Sequence, residues 1–200
     1  MAFVAPPSPI SLLSRHRILS PTAAVRVSPL VLGTMNFGTA WNASVGECSK
    51  ETAFGILDYY YEQGGNFIDT AVTYQFGESE QWIGEWMEKR RVRDEIVLAT
   101  KFTGAQLLDK ERTGGKAIKS NYAGNSAKNL YTSFERSLKQ LGTSYIDVVS
   151  CFMVRRSNDS RLTYRTVLSA PLGSLHLHPR ADACFERPLH VSKSYLSWHQ

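Results

Sequence analysis

The 200-residue sequence lacks several features that would assign it to a common class of protein. No apolar run approaches the roughly 20 residues needed to span a bilayer. The N-terminus has no basic segment ahead of an apolar core, so it is a poor secretory signal. The three cysteines, Cys48, Cys151 and Cys184, are scattered and form no CxxC pair. We therefore expect reduced thiols in a cytoplasmic protein, with no metal site and no membrane association.

Most of the chain also lacks an excess of charge. Residues 1–148 hold 16 Lys and Arg against 15 Asp and Glu, a balance of +1, whereas residues 149–200 hold 7 against 3, a balance of +4. The net charge of +5 therefore comes mainly from the last quarter of the chain. The nearly neutral body gives no reason to expect a nucleic-acid partner.

Short apolar runs alternate with amphipathic segments between residues 29 and 148. The runs predict buried strands, and the segments between them predict helices. This order is typical of a parallel sheet covered by helices, in either a TIM barrel or a doubly wound sheet. No GxGxxG pattern follows the first strand, which counts against a Rossmann dinucleotide site. The predicted strands are 30–32, 67–69, 95–100 and 145–148, the predicted helices are 52–63, 80–87 and 125/126–141, and a small hairpin is predicted within the Pro/Ser-rich segment 1–28.

Polar residues lie where two of the predicted strands end, and a tyrosine lies in the loop between them. Asp69 ends the second strand, Lys101 follows the third, and Tyr74 is five residues beyond Asp69. Barrel enzymes place their chemistry at the carboxyl ends of strands. A free tyrosine has a pKa near about 10, and a neighbouring ammonium held by a carboxylate would stabilise its phenolate. Each residue alone also has an ordinary structural explanation, as a loop cap, a packed ring or a solvated amine. Together they predict an acid–base site in which the tyrosine protonates a carbonyl oxygen as hydride reaches the carbon.

Several separated segments resemble one enzyme family. VLGTMNFG at 31–38, NFIDTAVTYQFGESEQWIG at 66–84, VLATK at 97–101 and NYAGNSAKNLYTSFERSLKQLGTSYIDV at 121–148 occur in this order. They are similar to aldo-keto reductases, in particular to the fungal aryl-alcohol dehydrogenase and norsolorinic acid reductase-like branch. The resemblance implies the N-terminal half of a (β/α)8 TIM barrel, about four βα units, with NADPH as hydride donor and a small carbonyl or alcohol substrate.

The resemblance also implies roles for single residues. The family's catalytic tetrad consists of Asp, Tyr, Lys and His, and Asp69, Tyr74 and Lys101 match the first three. Tyr74 would be the general acid, Lys101 would support it, and Asp69 would orient Lys101. The cofactor-binding residues implied by the resemblance are Gly33, Thr34, Met35 and Asp69.

The fourth member of the tetrad is missing where the resemblance places it. The family continues after Val148 roughly as YVHxWD, whereas this chain reads VSCF, and His176 and His178 lie in no matching motif. Residues 149–200 show no helical or strand period, so we expect an irregular tail. The first two codons after Val148 can read GTGAGT, the opening bases of an intron, and residues 167–200 read one base later allow FYVHLWD. We interpret 149–166 as a translated intron and 167–200 as frame-shifted, and we expect the chain to be inactive.

Two other interpretations stay open at this stage. Some relatives of the aldo-keto reductases serve as regulatory subunits, so a half-barrel could bind a partner through its exposed sheet edge. The chain could also be an inert product of an error in the gene model.

Overall fold

The computed structural model describes residues 8–20, 23–104, 120–153 and 163–168. Strands and helices alternate through most of these residues. The strands are β1 (Arg17–Ser20), β2 (Ala23–Val27), β3 (Leu32–Gly33), β4 (Phe67–Asp69), β5 (Val97–Lys101), β6 (Val148–Met153) and β7 (Thr163–Leu168). The helices are α1 (Asn42–Val45), α2 (Lys50–Glu62), α3 (Glu78–Arg90) and α4 (Ala127–Leu141), with 3-10 turns at Tyr74–Gly77 and Arg93–Glu95.

The main sheet has the strand order β3-β4-β5-β6-β7. Strands β3 to β6 pair in parallel, and β7 pairs with β6 in the antiparallel direction. In the register of the sheet, Asp69 lies opposite Gly33 on one side and opposite Ala99 on the other. The carboxyl ends of β3, β4 and β5 therefore lie along one edge, as the sequence predicts for a parallel sheet.

Alternate residues of each strand enter two different cores. Ile68, Leu98 and Val149 face the helices and pack in a cluster with buried side chains of α2, α3 and α4. Val97 and Val148 belong to a second cluster on the opposite face. Because side chains alternate along a strand, the second face also carries the odd-numbered residues of β4 and β5, among them Asp69 and Lys101.

The N-terminal hairpin covers part of this second face. Strands β1 and β2 pair in the antiparallel direction, which confirms the predicted hairpin. Val27 of β2 is 1% exposed and packs with Val97, Ala99 and Val148. The hairpin therefore closes the end of the sheet away from the carboxyl ends of the strands.

Serine side chains set where two of the helices begin. The Ser49 hydroxyl accepts a hydrogen bond from the Thr52 amide at the start of α2, and Ser126 accepts one from the Asn129 amide at the start of α4. These bonds satisfy backbone donors that the first helical turn leaves free. Gly142, in the left-handed conformation, ends α4, so the helix stops at Leu141 as predicted.

Helices α3 and α4 pack closely against each other at a glycine. A Cβ atom on Gly84 of α3 would lie 2.5 Å from the Leu141 carbonyl oxygen. Only a residue without a side chain fits there, since real Cβ atoms do not come within 3.0 Å of such neighbours. Gly84 thus lets α3 lie directly against the end of α4, which brings the first turn of α3 close to that helix.

The first predicted strand is shorter and less buried than the sequence indicates. The structure limits β3 to Leu32 and Gly33, whereas Leu30 is 59% exposed and Val31 is 49% exposed. Strand β3 pairs only with β4 among the described residues, so neither side chain is covered from the other side. A short apolar run alone does not reveal whether a strand lies inside a sheet or at its edge.

The fourth predicted strand begins later than the sequence indicates, because residues before it bind an arginine. Arg93 donates from Nη2 to the Tyr145 carbonyl and to Asp147 Oδ2, both at 2.9 Å. Asp147 Oδ2 also accepts from the Leu98 amide at 2.9 Å. These contacts occupy the segment predicted as strand, and β6 starts at Val148.

The segment after Val148 differs from the expected irregular tail. Strand β6 continues to Met153, and Thr163–Leu168 pairs with it from Val148↔Leu168 to Met153↔Thr163. Backbone groups at a sheet edge can pair with any extended segment that follows, which periodicity in the sequence does not detect. The segment 102–124, between the third predicted strand and the last predicted helix, lies in part outside the described residues, and the segments 154–162 and 169–200 lie wholly outside them.

Candidate active site

Asp69 and Lys101 form an ion pair at the carboxyl ends of β4 and β5. Lys101 Nζ lies 2.5 Å from Asp69 Oδ2 and donates a second hydrogen bond to the Thr70 carbonyl at 3.0 Å. The side chains of Lys101 and Asp69 are 15% and 30% exposed. This partial burial reduces screening by water, so the ammonium is held in one place beside the carboxylate.

Tyr74 lies against the ammonium of this pair. Lys101 Nζ is 4.9 Å from the centre of the Tyr74 ring. The loop between Asp69 and Tyr74 folds back because its backbone binds β5: the Thr70 amide donates to the Ala99 carbonyl at 2.8 Å and the Val72 amide to the Lys101 carbonyl at 3.3 Å. The structure therefore brings the three residues that the sequence predicts into one cluster.

The hydroxyl of Tyr74 has no hydrogen-bond partner within the part of the chain that the structure describes, and the side chain is half-buried. The ring of Trp41 packs edge-on against it, with centroids 6.3 Å apart and planes at 72°. The ring thus packs between Trp41 and Lys101, while its polar end has no partner among the described residues.

A buried glutamine fixes the loop that carries Tyr74. Gln75 is 1% exposed, and its side chain donates to the Met35 carbonyl at 3.0 Å and accepts from the Trp41 amide at 2.7 Å. Gln75 and Phe76 both have positive φ, 50° and 60°, which is uncommon for residues other than glycine. The two side-chain bonds offset the cost of this backbone conformation and connect the Tyr74 loop to the loop after β3.

Two further side chains join the same loops. The Glu78 carboxylate accepts from the Thr39 amide at 2.6 Å, and the Ser79 hydroxyl donates to the Phe37 carbonyl at 2.6 Å. Gly38, which lies between these contacts, has no room for a side chain, since a Cβ atom there would lie 2.4 Å from Gln75 Cβ. The loop after β3 is therefore hydrogen-bonded to the start of α3 at two positions, Phe37 and Thr39.

The residues predicted to bind a cofactor lie on the other side of Asp69. Thr34 is fully buried, and its amide and hydroxyl each donate to the Asp69 carbonyl at 3.1 Å. Gly33 is exposed, and a Cβ atom built on it would meet nothing within 4 Å. Met35 is 44% exposed. Gly33 and Met35 thus leave an accessible strip of backbone beside the Asp69–Lys101 pair, with Thr34 fixing its position.

Comparison with known proteins assigns this arrangement to a family. The profile described as "Aldo/keto reductase family" matches residues 29–171, which is more than half of the chain and includes every residue of the site. The chain belongs to the aldo/keto reductase family. The resemblance found in the sequence is confirmed, and the match extends beyond Val148, where the sequence resemblance ends.

Two curated relatives and one solved structure illustrate the likeness. An aryl-alcohol dehydrogenase of Pestalotiopsis microspora is 54% identical over 149 residues, which are 74% of this chain and 38% of that protein. Norsolorinic acid reductase B of Dothistroma septosporum is 62% identical over 135 residues, 67% of this chain and 33% of that protein. The aldo-keto reductase AKR11C1 of Bacillus halodurans, in its holo form, is 30% identical with a TM-score of 0.53, over 68% of this chain and 39% of that one.

The chain matches only part of the length of each relative. It spans about a third of the length of these curated relatives, at 38% and 33%. The parallel strands and their helices form part of the (β/α)8 barrel of the family, which confirms the predicted fold class. No helix within the described residues is both long and apolar enough to cross a membrane.

Sequence reasoning missed one buried acid behind the site of this aldo-keto reductase. Glu80, in the first turn of α3, is fully buried and accepts a hydrogen bond from the Thr100 hydroxyl at 2.6 Å. Burial raises the pKa of its carboxyl to about 7, although hydrogen bonds and nearby positive charges act against this shift. The sequence shows Glu80 only as an acidic residue at a helix start, which is typically exposed.

Sequence reasoning also missed the residues that hold Tyr74. Gln75 and Trp41 bind or pack against its loop, yet neither stands out in the sequence. The sequence contains one indirect signal, the small residues Gly38 and Gly77 on either side of this contact. Gly77 has φ 98°, a backbone conformation that residues with a side chain rarely adopt, so the turn into α3 depends on it.

Proposed function

We propose that the chain carries the acid–base part of an NADP-dependent reductase that converts aldehydes or ketones to alcohols, with Tyr74 as general acid. The observation that carries this proposal is the position of Lys101, which contacts the Asp69 carboxylate at 2.5 Å and lies 4.9 Å from the centre of the Tyr74 ring. A fixed ammonium beside a tyrosine stabilises the negative charge that develops when the phenol gives up its proton.

Each of the three residues has a separate task in this proposal. Tyr74 donates its proton to the carbonyl oxygen of the substrate, since its hydroxyl is unpaired in the described part of the chain. Lys101 stabilises the oxygen that loses the proton. Asp69 balances the charge of the ammonium and, together with the Thr70 carbonyl 3.0 Å away, keeps it in place. Tyr74 accepts the proton when the reaction runs from alcohol to carbonyl.

The residues beside Asp69 fit a nicotinamide cofactor. The exposed backbone at Gly33, where added atoms would meet nothing within 4 Å, and the exposed Met35 leave space for a flat ring next to the acid–base cluster. When bound, reduced nicotinamide supplies the hydride. Thr34, anchored on the Asp69 carbonyl, would hold the strip of backbone that the cofactor contacts. The holo form of the Bacillus halodurans relative supports a bound cofactor in this family, and the choice of NADP(H) is part of the proposal.

We further propose an aromatic substrate, in secondary metabolism and in the cytoplasm. The relatives are named for aryl alcohols and for norsolorinic acid. Phe76 is 53% exposed and packs edge-on against Trp41, with centroids 5.8 Å apart at 86°. Trp41 and Phe76 therefore present apolar rings close to Tyr74, which suits a flat, apolar substrate. In this proposal the partner of the chain is a small molecule, and neither nucleic acid nor membrane is involved.

We propose that the 200-residue chain is inactive by itself. The histidine expected shortly after Val148 is absent, because the chain reads VSCF at 149–152, and the match covers 38% or less of the two relatives described above. The second candidate function is that of a regulatory or binding subunit. It is favoured by the short edge strand β3, next to which Leu30 and Val31 are about half exposed, at 59% and 49%.

Turnover by two proteins separates these functions. The first is the chain itself. The second is a chimera that joins residues 1–148 to the part of the Dothistroma septosporum reductase that follows its matched segment. We expect the chimera to oxidise NADPH in the presence of an aromatic aldehyde and the chain alone to show no turnover. A chimera that binds NADPH, seen by fluorescence, but never turns over would favour the binding subunit, and turnover by the chain alone would contradict the proposed inactivity.

A further inference from the structure

The two last residues of β5 point in opposite directions. Lys101 lies on the face of the sheet that carries the site, where it binds Asp69. Thr100 is 2% exposed and lies on the helix side, where its hydroxyl donates to Glu80 Oε1 at 2.6 Å. The end of β5 is thus held from both faces of the sheet, by Asp69 on one and by Glu80 on the other.

The second oxygen of Glu80 is bound to helix α4. With its amide turned so that both ends are satisfied, Gln140 donates to Glu80 Oε2 at 2.6 Å and accepts from Arg136 Nε at 3.3 Å. The Glu80 side chain is fully buried and therefore connects β5 to α4 from a position between them. A methionine or leucine of similar size would fill this space without the free-energy cost of burying a carboxyl. Packing alone therefore does not explain why Glu80 is an acid.

The charged groups that act on Glu80 come from two elements. The positive charges of Arg136 on α4 and Lys101 on β5 both lower the pKa of its carboxyl. Burial has the largest effect and raises this pKa to about 7. The Thr100 and Ser137 hydroxyls, like the two cations, lower it. Ser137 is buried close to the carboxyl without a hydrogen bond of ordinary geometry. The carboxyl therefore changes its charge near neutral pH. Since Glu80 and Lys101 interact electrostatically, this change alters the surroundings of the Lys101 ammonium.

We propose that Glu80 is a positioning residue for Lys101. It holds the end of β5 through Thr100, and in its ionised form it places a second negative charge behind the ammonium, on the side of the sheet opposite Asp69. A carboxylate there opposes the stabilisation that Lys101 gives to a phenolate, whereas the neutral acid does not. The consequence for catalysis rests on the proposed role of Tyr74, but the electrostatic effect between Glu80 and Lys101 does not.

The test follows the side chain of Lys101 rather than turnover. The chain is labelled with 13C-lysine, the Cε signal of Lys101 is assigned from its loss in Lys101→Arg, and its chemical shift is recorded from pH 5 to pH 9. Ordinary lysines stay charged and ordinary carboxyls stay ionised over most of this range. We expect an inflection of the Lys101 signal near pH 7 in the wild-type chain, loss of that inflection in Glu80→Gln, and its persistence in Glu85→Gln, an exposed carboxyl of the same helix.

A second variant separates this role from simple packing. Thr100→Val keeps the shape of the side chain but removes the donor to Glu80, so the inflection should move to higher pH. A packing role alone would change stability without moving this midpoint. Two results would overturn the proposal. The first is a wild-type curve without an inflection, and the second is an inflection that remains in Glu80→Gln. Because turnover is not measured, the proposal can fail while the chimera is active, and an inactive chimera leaves this result unaffected.

Discussion

Asp69 and Lys101 are 32 residues apart in sequence, yet their side chains meet at 2.5 Å. The register of the parallel sheet explains this contact. Asp69 lies opposite Ala99, so Lys101, two residues further, points from the same face of the neighbouring strand. A shift of one residue between β4 and β5 would turn Lys101 toward the helices and abolish the site.

The pH dependence of stability should reveal Glu80. Its pKa is raised from 4.5 to about 7 in the folded chain, so the folded state binds the proton more tightly than the unfolded state. The stability contributed by this proton is fully present below pH 4.5 and is lost as pH rises through about 7. The stability of the wild-type chain relative to Glu80→Gln should therefore fall, by on the order of 3 kcal/mol in total, as pH rises over this window.

Urea unfolding of both proteins between pH 5 and pH 8 measures this difference. The matched control is Glu85→Gln, whose side chain is 54% exposed, and its difference from wild type should stay nearly constant. A constant difference for Glu80→Gln as well would contradict the raised pKa.

The contact between α3 and α4 should not tolerate a methyl group at Gly84. A Cβ atom there would lie 2.5 Å from the Leu141 carbonyl oxygen, so Gly84→Ala must push the two helices apart. We expect a loss of about 1–3 kcal/mol in the free energy of unfolding, measured by urea denaturation. Gly55→Ala in α2 is the control, because its Cβ atom would meet nothing within 4 Å. That variant should gain about 0.5–1 kcal/mol from helix propensity, and equal effects at the two positions would disprove the packing argument.

Gln75 should control how firmly the loop after β3 is held. Its side chain accepts from the Trp41 amide at 2.7 Å and donates to the Met35 carbonyl at 3.0 Å. In Gln75→Ala both groups lose their partner, so the Trp41 amide should exchange its hydrogen faster. Removal of such buried hydrogen bonds costs about 1–3 kcal/mol, which corresponds to about 5- to 150-fold in exchange rate if this contact limits opening. The amide of Ala53 in α2 serves as reference, and unchanged exchange at Trp41 would refute this role.

The link between Arg93 and Asp147 should support β6. Asp147 Oδ2 binds both Arg93 Nη2 and the Leu98 amide at 2.9 Å, and the two charged side chains are 16% and 20% exposed. Asp147→Asn keeps an acceptor but removes the charge, whereas Asp147→Ala removes both. We expect the alanine variant to lose about 2–3 kcal/mol of unfolding free energy and the asparagine variant about half as much. An alanine variant as stable as wild type would show that the contact is not needed.

The sequence predicts the ends of several elements because local chemistry determines them. Ser49 and Ser126 cap the helices predicted at 52–63 and 125/126–141, and Gly142 ends the second of these, α4. The proximity of Asp69 and Lys101 is also predicted, because residues at the ends of adjacent parallel strands must lie close together. Tyr74 joins them because its loop folds back on β5. These predictions depend only on neighbouring residues or on one simple rule of topology.

Contacts between distant segments cannot be predicted in this way. Glu80 looks like an exposed helix-start residue, but the approach of α4 at Gly84 buries it. Leu30 and Val31 look like buried strand residues, but β3 lies at an edge of the described sheet and leaves them exposed. Strand β7 has no period that indicates it, since its position depends on pairing with β6. In each case another element decides the burial of the residue.

The rate of carbonyl reduction by the chimera and by its Tyr74→Phe variant tests the central claim most directly. Tyr59→Phe, which changes a tyrosine that is 67% exposed in α2, is the matched control. Because a general acid contributes about 100- to 10,000-fold, kcat/KM of Tyr74→Phe should fall by that factor while NADPH binding and the rate of Tyr59→Phe stay close to wild type. A Tyr74→Phe chimera that reduces an aromatic aldehyde at the wild-type rate would contradict the assignment of the site.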